Sequence, residues 1–142
     1  MNDSLKQKVL SVLEGNRVGS LATIKNNKPH SRYMTFLNEG LTLYTPTTKD
    51  TYKTEEIETN PNVHILLGYF GEGMGDAFVE IQGTAEIKED QDLKSRIWNE
   101  HMEKWIKSPD DPDYIVLKIQ AETIRLMNDQ DAPKTLNLKE ME

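Results

Sequence analysis

The stretch FVEIQGTAEI, residues 78–87, alternates between apolar and polar side chains along most of its length. Val79, Ile81, Ala85 and Ile87 fall on one face of an extended backbone, and polar residues fall between them. A period of two is typical of a strand that has one face on the core and the other on solvent. The stretch therefore predicts a strand of an antiparallel sheet.

Runs of similar length elsewhere predict further strands, at residues 17–24, 30–37, 41–45, 63–70 and 114–119, with the last resuming near 123–127. Helices are predicted where Leu5, Val9, Val12 and Leu13 recur at helical spacing, at residues 51–59, and from Asp90 to just before Ser108. About six strands with these helices between them predict a closed or nearly closed, mostly antiparallel β-barrel with peripheral α-helices. A β-sandwich with peripheral helices is the alternative.

The composition limits the partners and the compartment. A chain of 142 residues fits one domain, 1–142, in which residues 129–142 are interpreted as a polar tail. It has no cysteine, which excludes disulfides, thiolate metal sites and a cysteine nucleophile and favours a reducing, cytoplasmic location. No apolar run approaches the ~18 residues of a membrane span. A net charge of −7 argues against nucleic acid and anionic membrane surfaces as partners.

Cations and hydroxyls concentrate at the ends of neighbouring predicted elements. Arg32-Tyr33-Met34-Thr35 lies on one strand, Tyr44-Thr45 ends the next, and Thr51-Tyr52-Lys53 begins a helix. A helix N-terminus offers unpaired backbone N–H groups and a partial positive charge, so it favours an anion. The pattern therefore indicates a site for a small molecule that carries a phosphate.

Charge alone leaves a second interpretation open. Asp50, Glu55 and Glu56 could instead balance the two lysines near the start of this helix, which would leave Arg32 an ordinary strand residue. The three histidines of the chain fall in separate elements. Each is therefore predicted to be a surface or core residue instead of a metal ligand or a base, and no metal site is expected.

The order of these residues resembles a known family. The succession is Arg-x-Met on a strand, aromatic-Thr at the end of the next, a hydroxyl two residues before a lysine at a helix start, and then Asn60-Pro61-x-Val63. It is similar to the flavin-binding half of the pyridoxamine 5'-phosphate oxidase-like split barrels. Residues 98–105 and 111–117 resemble the general stress protein branch of that family. The resemblance runs from about Leu5 to Met127 and implies a split-barrel fold.

The resemblance implies a flavin cofactor, FMN with FAD as the other possibility, and a homodimer with two flavins at its interface. Arg32 and Lys53 would hold the flavin phosphate with help from the Thr51 hydroxyl. A phosphate monoester carries about −1.5 to −2 charge at pH 7, which suits an arginine fork and a lysine point charge.

The ring and the ribityl chain of the flavin are assigned in the same way. By resemblance, Tyr33, Met34 and Thr35 would line the isoalloxazine ring, and Tyr44 and Thr45 would line the ribityl side. No catalytic residue is implied. The electron donor or acceptor would be a small molecule that the sequence does not identify.

Three departures from the family pattern bear on activity. Phe78 stands near the position where oxidases of the family often carry a glutamine facing the flavin, and Leu126-Met127 replaces an aromatic pair of the stress-protein branch. The tail, with residues 135–138 reading TLNL, lacks the Arg-x-His that true oxidases use on their substrate. The interpretation is a flavin-dependent oxidoreductase. A non-catalytic flavin-binding or flavin-sensing stress protein and a cofactor-less dimeric interaction domain are the alternatives.

The missing Arg-x-His predicts little or no oxidation of pyridoxamine phosphate or pyridoxine phosphate, because the tail lacks the pair that true oxidases of the family use on their substrate. Steady-state assays with FMN present should give no turnover above background. Turnover at ordinary enzymatic rates, about 1 per second or more, would show that this prediction is wrong.

Overall fold

The computed structural model of the chain describes residues 2–15, 17–49, 52–69, 76–129 and 132–138. The elements follow the chain in this order: helix α1 (Asn2–Gly15), strands β1 (Val18–Lys25), β2 (Lys28–Thr35), β3 (Leu37–Glu39) and β4 (Thr42–Thr48), helix α2 (Tyr52–Thr59), strands β5 (Asn62–Leu67) and β6 (Phe78–Lys88), helix α3 (Gln91–Ile97), a 3₁₀ turn (Glu100–Lys104), and strands β7 (Tyr114–Met127) and β8 (Lys134–Asn137).

These strands form one antiparallel sheet. Their order is β2-β1-β5-β6-β7-β4-β3, and β8 pairs with β7 as well. The long strand β7 pairs with β4 through residues 114–119 and with β8 through residues 123–126. The sheet curls around an apolar interior as a split barrel. This confirms the predicted antiparallel barrel with peripheral helices and excludes the sandwich.

The alternating stretch forms β6, which pairs with β7 along its whole length. Its apolar face points into the barrel, where Val79 and Ile81 are fully buried, and its polar residues are exposed or half-buried on the other side. The predicted strand with one buried face is confirmed. Apolar residues of α1, including the fully buried Val9, complete the barrel core.

A β-bulge lies where β6 meets the middle of β7. The neighbouring residues Gly83 and Gln82 pair with Ala121 and Thr123, so Glu122 is an extra residue in β7. A Cβ at Gly83 would collide with a backbone oxygen of β7, so the close approach requires glycine. The predicted break between residues 119 and 123 is wrong, because the bulge accommodates the extra residue within one continuous strand.

The predicted helix after Asp90 is broken in two. Trp98 leaves helical geometry, with φ −55° and ψ 138°, and the chain continues as the 3₁₀ turn. These segments cover a second, smaller core: Tyr44, Leu93, Ile97, Met102, Ile106, Tyr114 and Val116. The Tyr114 hydroxyl donates to the backbone oxygen of Lys94 at 2.8 Å, and burial raises the pKa of Tyr114 to about 12. No helix in the described ranges has the length and apolar character of a membrane span.

The predicted polar tail contains a strand. Residues 134–137 form β8 on β7, with Leu136 opposite Ile124 and almost fully buried, and Leu138 packs against the same core. A four-residue strand with one apolar residue gives too weak a local pattern to predict, and the pairing with β7 creates it. Strands β3 and β8 bring the number of described strands to eight, where about six were predicted.

The contribution of the docked tail to stability can be measured with a substitution at Leu136. We expect Leu136→Ala to lower the free energy of unfolding by about 2 to 5 kcal/mol, because the variant leaves a cavity in the barrel core. The matched control is Thr135→Ala at an exposed position of the same strand, which should change stability by no more than about 0.5 kcal/mol. Equal urea unfolding curves for the two variants would contradict the docking of β8.

Candidate functional site

Two adjoining clefts open on the outside of the sheet. The first, of about 330 Å³, lies between β1, the end of β5 and the start of β6. The second, of about 300 Å³, lies between β2 and β4. Val18 and Tyr33 line both clefts, so the two form one continuous trough. Their volumes fall at the lower end of the range for small-molecule pockets, about 300 to 1,000 Å³.

The trough collects the exposed apolar surface of the protein. Among the described residues, five large apolar side chains are exposed, and all five line one of the two clefts: Val18, Tyr33, Leu66, Tyr69 and Trp105. Tyr33, at the junction of the clefts, is 83% exposed. Apolar side chains gathered in this way mark a surface that binds a ligand or a partner.

The structure brings the three predicted ring-lining residues together. Tyr33, Met34 and Thr35 all line the second cleft, at the end of β2, opposite Thr47 of β4. Phe78, which stands near the family's glutamine position, lines the first cleft. Its ring meets that of Tyr69 edge-on, with centroids 5.6 Å apart. The walls of the trough are therefore largely aromatic and aliphatic.

The side chains of the two predicted ribityl residues, Tyr44 and Thr45, point to opposite faces of β4. Tyr44 packs into the smaller core under α3. Thr45 is fully buried, and its hydroxyl Oγ1 has no hydrogen-bond partner within the described ranges. An unpaired buried hydroxyl is costly. Of the predicted site residues that the structure describes, Thr45 is the one with a buried hydroxyl that lacks a hydrogen bond there.

Arg32 lies in a polar cluster between β1, β2 and α2. Its Nη1 donates to the Thr23 hydroxyl at 2.8 Å and to the Leu21 backbone oxygen at 3.4 Å. Its Nη2 lies 3.4 Å from Glu56 Oε2 and 3.1 Å from His30 Nδ1. The Arg32 side chain remains 18% exposed, so solvent or a ligand can reach part of it.

Glu56 is the acidic centre of this cluster. Its Oε1 lies 2.9 Å from His30 Nδ1 and accepts a hydrogen bond from the Thr23 hydroxyl at 3.2 Å. Burial alone would raise the pKa of this carboxyl. The hydrogen bonds from His30 and Thr23, together with the positive charge of Arg32, outweigh that effect and lower the Glu56 pKa. Glu56 is therefore ionised at neutral pH.

The lysines at the start of α2 are only partly described. Position 53 is the second residue of α2, one turn before Glu56, but the structure does not describe its side chain, and Thr51 lies outside the described residues. Lys49 forms a surface ion pair with Glu89 at 2.8 Å. Glu56 pairs with Arg32 at 3.4 Å, so Arg32 belongs to a charged cluster.

His30 and Glu56 are the site residues that sequence reasoning missed. His30 and Arg32 are two positions apart on β2 and share a face, which is a signal the sequence contained. What the sequence lacked was the packing of α2 on β1, which brings Glu56 to that face. Within the described residues, no group of three or more acidic or histidine side chains is arranged to hold a metal ion.

The arrangement fits an elongated ligand with a flat apolar part and a polar, anionic arm. The aromatic trough suits the flat part, and the partly exposed Arg32 offers a positive charge. The fully buried Thr45 hydroxyl lines neither cleft. Because β2 is the last strand at its end of the sheet order, a ligand can lie on the outer face and reach Arg32 around this edge.

Comparison with known proteins gives a consistent result. A family model described as "Pyridoxamine 5'-phosphate oxidase" matches residues 5–128. General stress protein 26 of Bacillus subtilis is 59% identical over 124 residues, covering 87% of this chain and 89% of that protein. The crystal structure of General Stress Protein 26 from Bacillus anthracis has a TM-score of 0.85 at 38% identity, covering 94% of this chain and 98% of the other.

The ionised Glu56 predicts a specific pH dependence of stability. Because its pKa is lower in the folded state, its contribution is present above the ordinary glutamate value of 4.5 and is lost as pH falls through the folded-state pKa. The melting temperatures of the wild type and Glu56→Gln should differ most near neutral pH and should become equal in acid. The control Glu55→Gln, at an exposed position of the same helix, should track the wild type throughout. If the difference in melting temperature between the wild type and Glu56→Gln did not change with pH, the prediction would be contradicted.

Proposed function

This chain belongs to the pyridoxamine 5'-phosphate oxidase family, in its general stress protein branch, and we propose that it binds a flavin and acts as a flavin-dependent oxidoreductase. FMN is the proposed cofactor, and FAD is the other flavin that presents a phosphate. The proposed location is the cytoplasm, and the redox partner is a small molecule.

One observation carries the proposal. The residues that the family resemblance assigns to the flavin ring, Tyr33 to Thr35, lie where all of the exposed large apolar side chains in the described ranges converge. An isoalloxazine ring is flat and largely apolar. Covering Tyr33, Val18 and Trp105 with such a ring would remove apolar area from water, which contributes roughly 25 cal/mol per Å².

The polar end of the flavin is proposed to lie at the start of α2. Arg32 supplies a partly exposed guanidinium at the β2 edge. Lys53 is the second residue of α2, at the helix end where N–H groups favour an anion. The Thr51 hydroxyl is proposed to assist it. The Thr45 hydroxyl, which lacks a partner in the described part of the chain, is proposed to meet the ribityl chain.

The flavin supplies the electron chemistry when it is bound. The residues of this chain orient it and exclude water from one side of the trough, through Val18, Tyr33 and Phe78. Among the described residues, those that line the clefts carry apolar side chains and hydroxyls, with no carboxylate or imidazole.

A second copy of this chain is the proposed partner. The trough is open to solvent along one side and carries Leu66, Tyr69 and Trp105 around it. A homodimer that pairs two such faces would cover these residues and enclose a flavin at each trough. A sheet face of this kind suits a self-complementary two-fold interface.

The absorption spectrum of the purified protein, followed by anaerobic addition of nicotinamide donors, tests the proposal. A flavin band that bleaches with the donor and returns with an acceptor is the expected result. A flavin band that does not respond would favour the non-catalytic flavin-binding alternative. A colourless protein that ignores added FMN would contradict flavin binding and favour the interaction-domain alternative.

Lys53→Glu should abolish FMN binding while the fold persists, because glutamate replaces an attraction with a repulsion and is a good helix former. The milder Lys53→Met should weaken binding roughly 10-fold to 150-fold, which corresponds to about 1.5 to 3 kcal/mol for a hydrogen bond to a charged group. Fluorescence quenching on FMN titration, beside a thermal melt, measures both. Wild-type affinity in Lys53→Met and Arg32→Met would remove the phosphate assignment.

Sedimentation should give twice the chain mass of 16.3 kDa at micromolar concentration. Leu66→Lys, in the middle of the exposed apolar face, should shift the protein toward monomer because it places a charge in the interface. Glu103→Lys, at an exposed position of the 3₁₀ turn, is the charge-changing control. A wild type that stays monomeric in this range would contradict the dimer.

A further inference from the structure

We propose that Glu80 of one chain pairs with Arg125 of a second copy, and that this contact fixes how the two chains of the homodimer meet. The pairing rests on the proposed homodimer and names the residues that make a second copy of this chain the preferred partner. Neither the sequence pattern nor the family resemblance assigned a role to Glu80 or Arg125.

One row of side chains crosses the outer face of the sheet from β2 to β8. Residues directly opposite each other on neighbouring strands project from the same face. Leu66 of β5 is opposite Glu80 of β6, and Glu80 is opposite Arg125 of β7. We call this the outer row, and its members are Tyr33, Ser20, Leu66, Glu80, Arg125 and Thr135. Because the first three line the first cleft, the trough and two opposite charges share one surface.

The two charges of the outer row keep unused hydrogen-bonding capacity. Arg125 is exposed, and no carboxylate in the described part of the chain forms an ion pair with its guanidinium. The Glu80 side chain is 24% exposed, and its Oε1 lies 3.1 Å from Nε2 of His64. An ionised carboxylate accepts hydrogen bonds through both oxygens, and a guanidinium has five donors. Glu80 can therefore accept from a further donor, and Arg125 can donate to a further acceptor.

A dimer that covers Leu66 also covers both charges. Leu66 is 42% exposed on the outer row. Neighbouring strands lie about 4.8 Å apart, which puts Arg125 about 10 Å from Leu66 across the sheet. A stable interface buries about 800 Å² on each partner, which corresponds to a roughly circular patch about 16 Å in radius. A patch centred on Leu66 therefore takes Glu80 and Arg125 out of water.

Two-fold symmetry supplies a counter-ion to each buried charge. Removing a charge from water is costly unless an opposite charge and hydrogen bonds replace the solvent. In a two-fold interface each contact occurs twice, with the roles of the chains exchanged. When Arg125 meets Glu80 of the second copy, the reciprocal contact forms as well, and both guanidiniums gain a carboxylate. The outer row is thus self-complementary, which favours a second copy over an unrelated partner and disfavours arrangements that bring like charges together.

Charge reversal in separate chains tests the pairing. Glu80→Arg and Arg125→Glu should each weaken self-association by about 30-fold or more, because like charges then face each other across the interface. An equimolar mixture of the two variants should recover wild-type association in sedimentation, since the heterodimer again places an arginine opposite a glutamate at both contacts. Mixing would not relieve a repulsion between neighbours within one chain.

Glu86→Arg and Lys118→Glu are the matched controls, because Glu86 and Lys118 are another opposite pair of the same two strands. A strand rises about 3.3 Å per residue, so Glu86 lies about 20 Å from Glu80 and outside the patch. The reversal creates the same repulsion within the chain at this position. Each control variant should nevertheless self-associate as the wild type does.

Wild-type association of Glu80→Arg and Arg125→Glu, or a mixture that stays monomeric while both variants show a folded melting transition, would overturn the inference. If a reversed variant does not fold, Arg125→Gln decides, because it adds no repulsion. It should weaken association by about 10-fold or more, and wild-type association of this variant would overturn the inference. A monomeric wild type would refute the homodimer itself, whereas FMN titration of the same samples tests the proposed flavin binding independently.

Discussion

The pairing of β7 with three other strands is the constraint on which the rest of the structure depends. One long strand holds β6 on one side and both β4 and β8 on the other. The bulge at Glu122 lets this strand stay paired with β6 although it carries one residue more. Because β4 and β6 are thereby fixed on opposite sides of β7, the sheet curls, and β2 comes to lie near β4 across the second cleft.

The candidate site follows from this curl and from the alternation of β2. Tyr33 and Thr35 are on the outer face of this edge strand, whereas His30 and Arg32 are on the face that meets α2. One strand therefore supplies an apolar surface on one side and a charged cluster on the other. A ligand with a flat ring and an anionic arm matches that division, because it can cover the outer face and bend around the edge toward Arg32.

The sequence predicted those parts of the molecule that local patterns determine. The strand at residues 78–87 followed from its own alternation, whereas the grouping of Tyr33, Met34 and Thr35 was implied by the family resemblance. The parts it missed depend on distant segments. Leu136 is buried only because β7 offers an edge to the tail, and the extra residue Glu122 is tolerated only because Gly83 allows close approach.

The polar cluster shows the same limit. Glu56 is 26 residues from His30 along the chain, so neither residue could be recognised as the partner of the other without the packing of α2. Family resemblance supplied Arg32 and Lys53 but no information on what orients them. The partners of Arg32 therefore came from the structure.

The most direct test of the account is a crystal structure of the protein with FMN bound. The account predicts the isoalloxazine ring in the trough against Val18 and Tyr33, and the phosphate within hydrogen-bonding reach of the Arg32 guanidinium at the start of α2. A ring located away from the trough, or a phosphate held by residues of another region with Arg32 still paired only to Thr23 and Glu56, would contradict it.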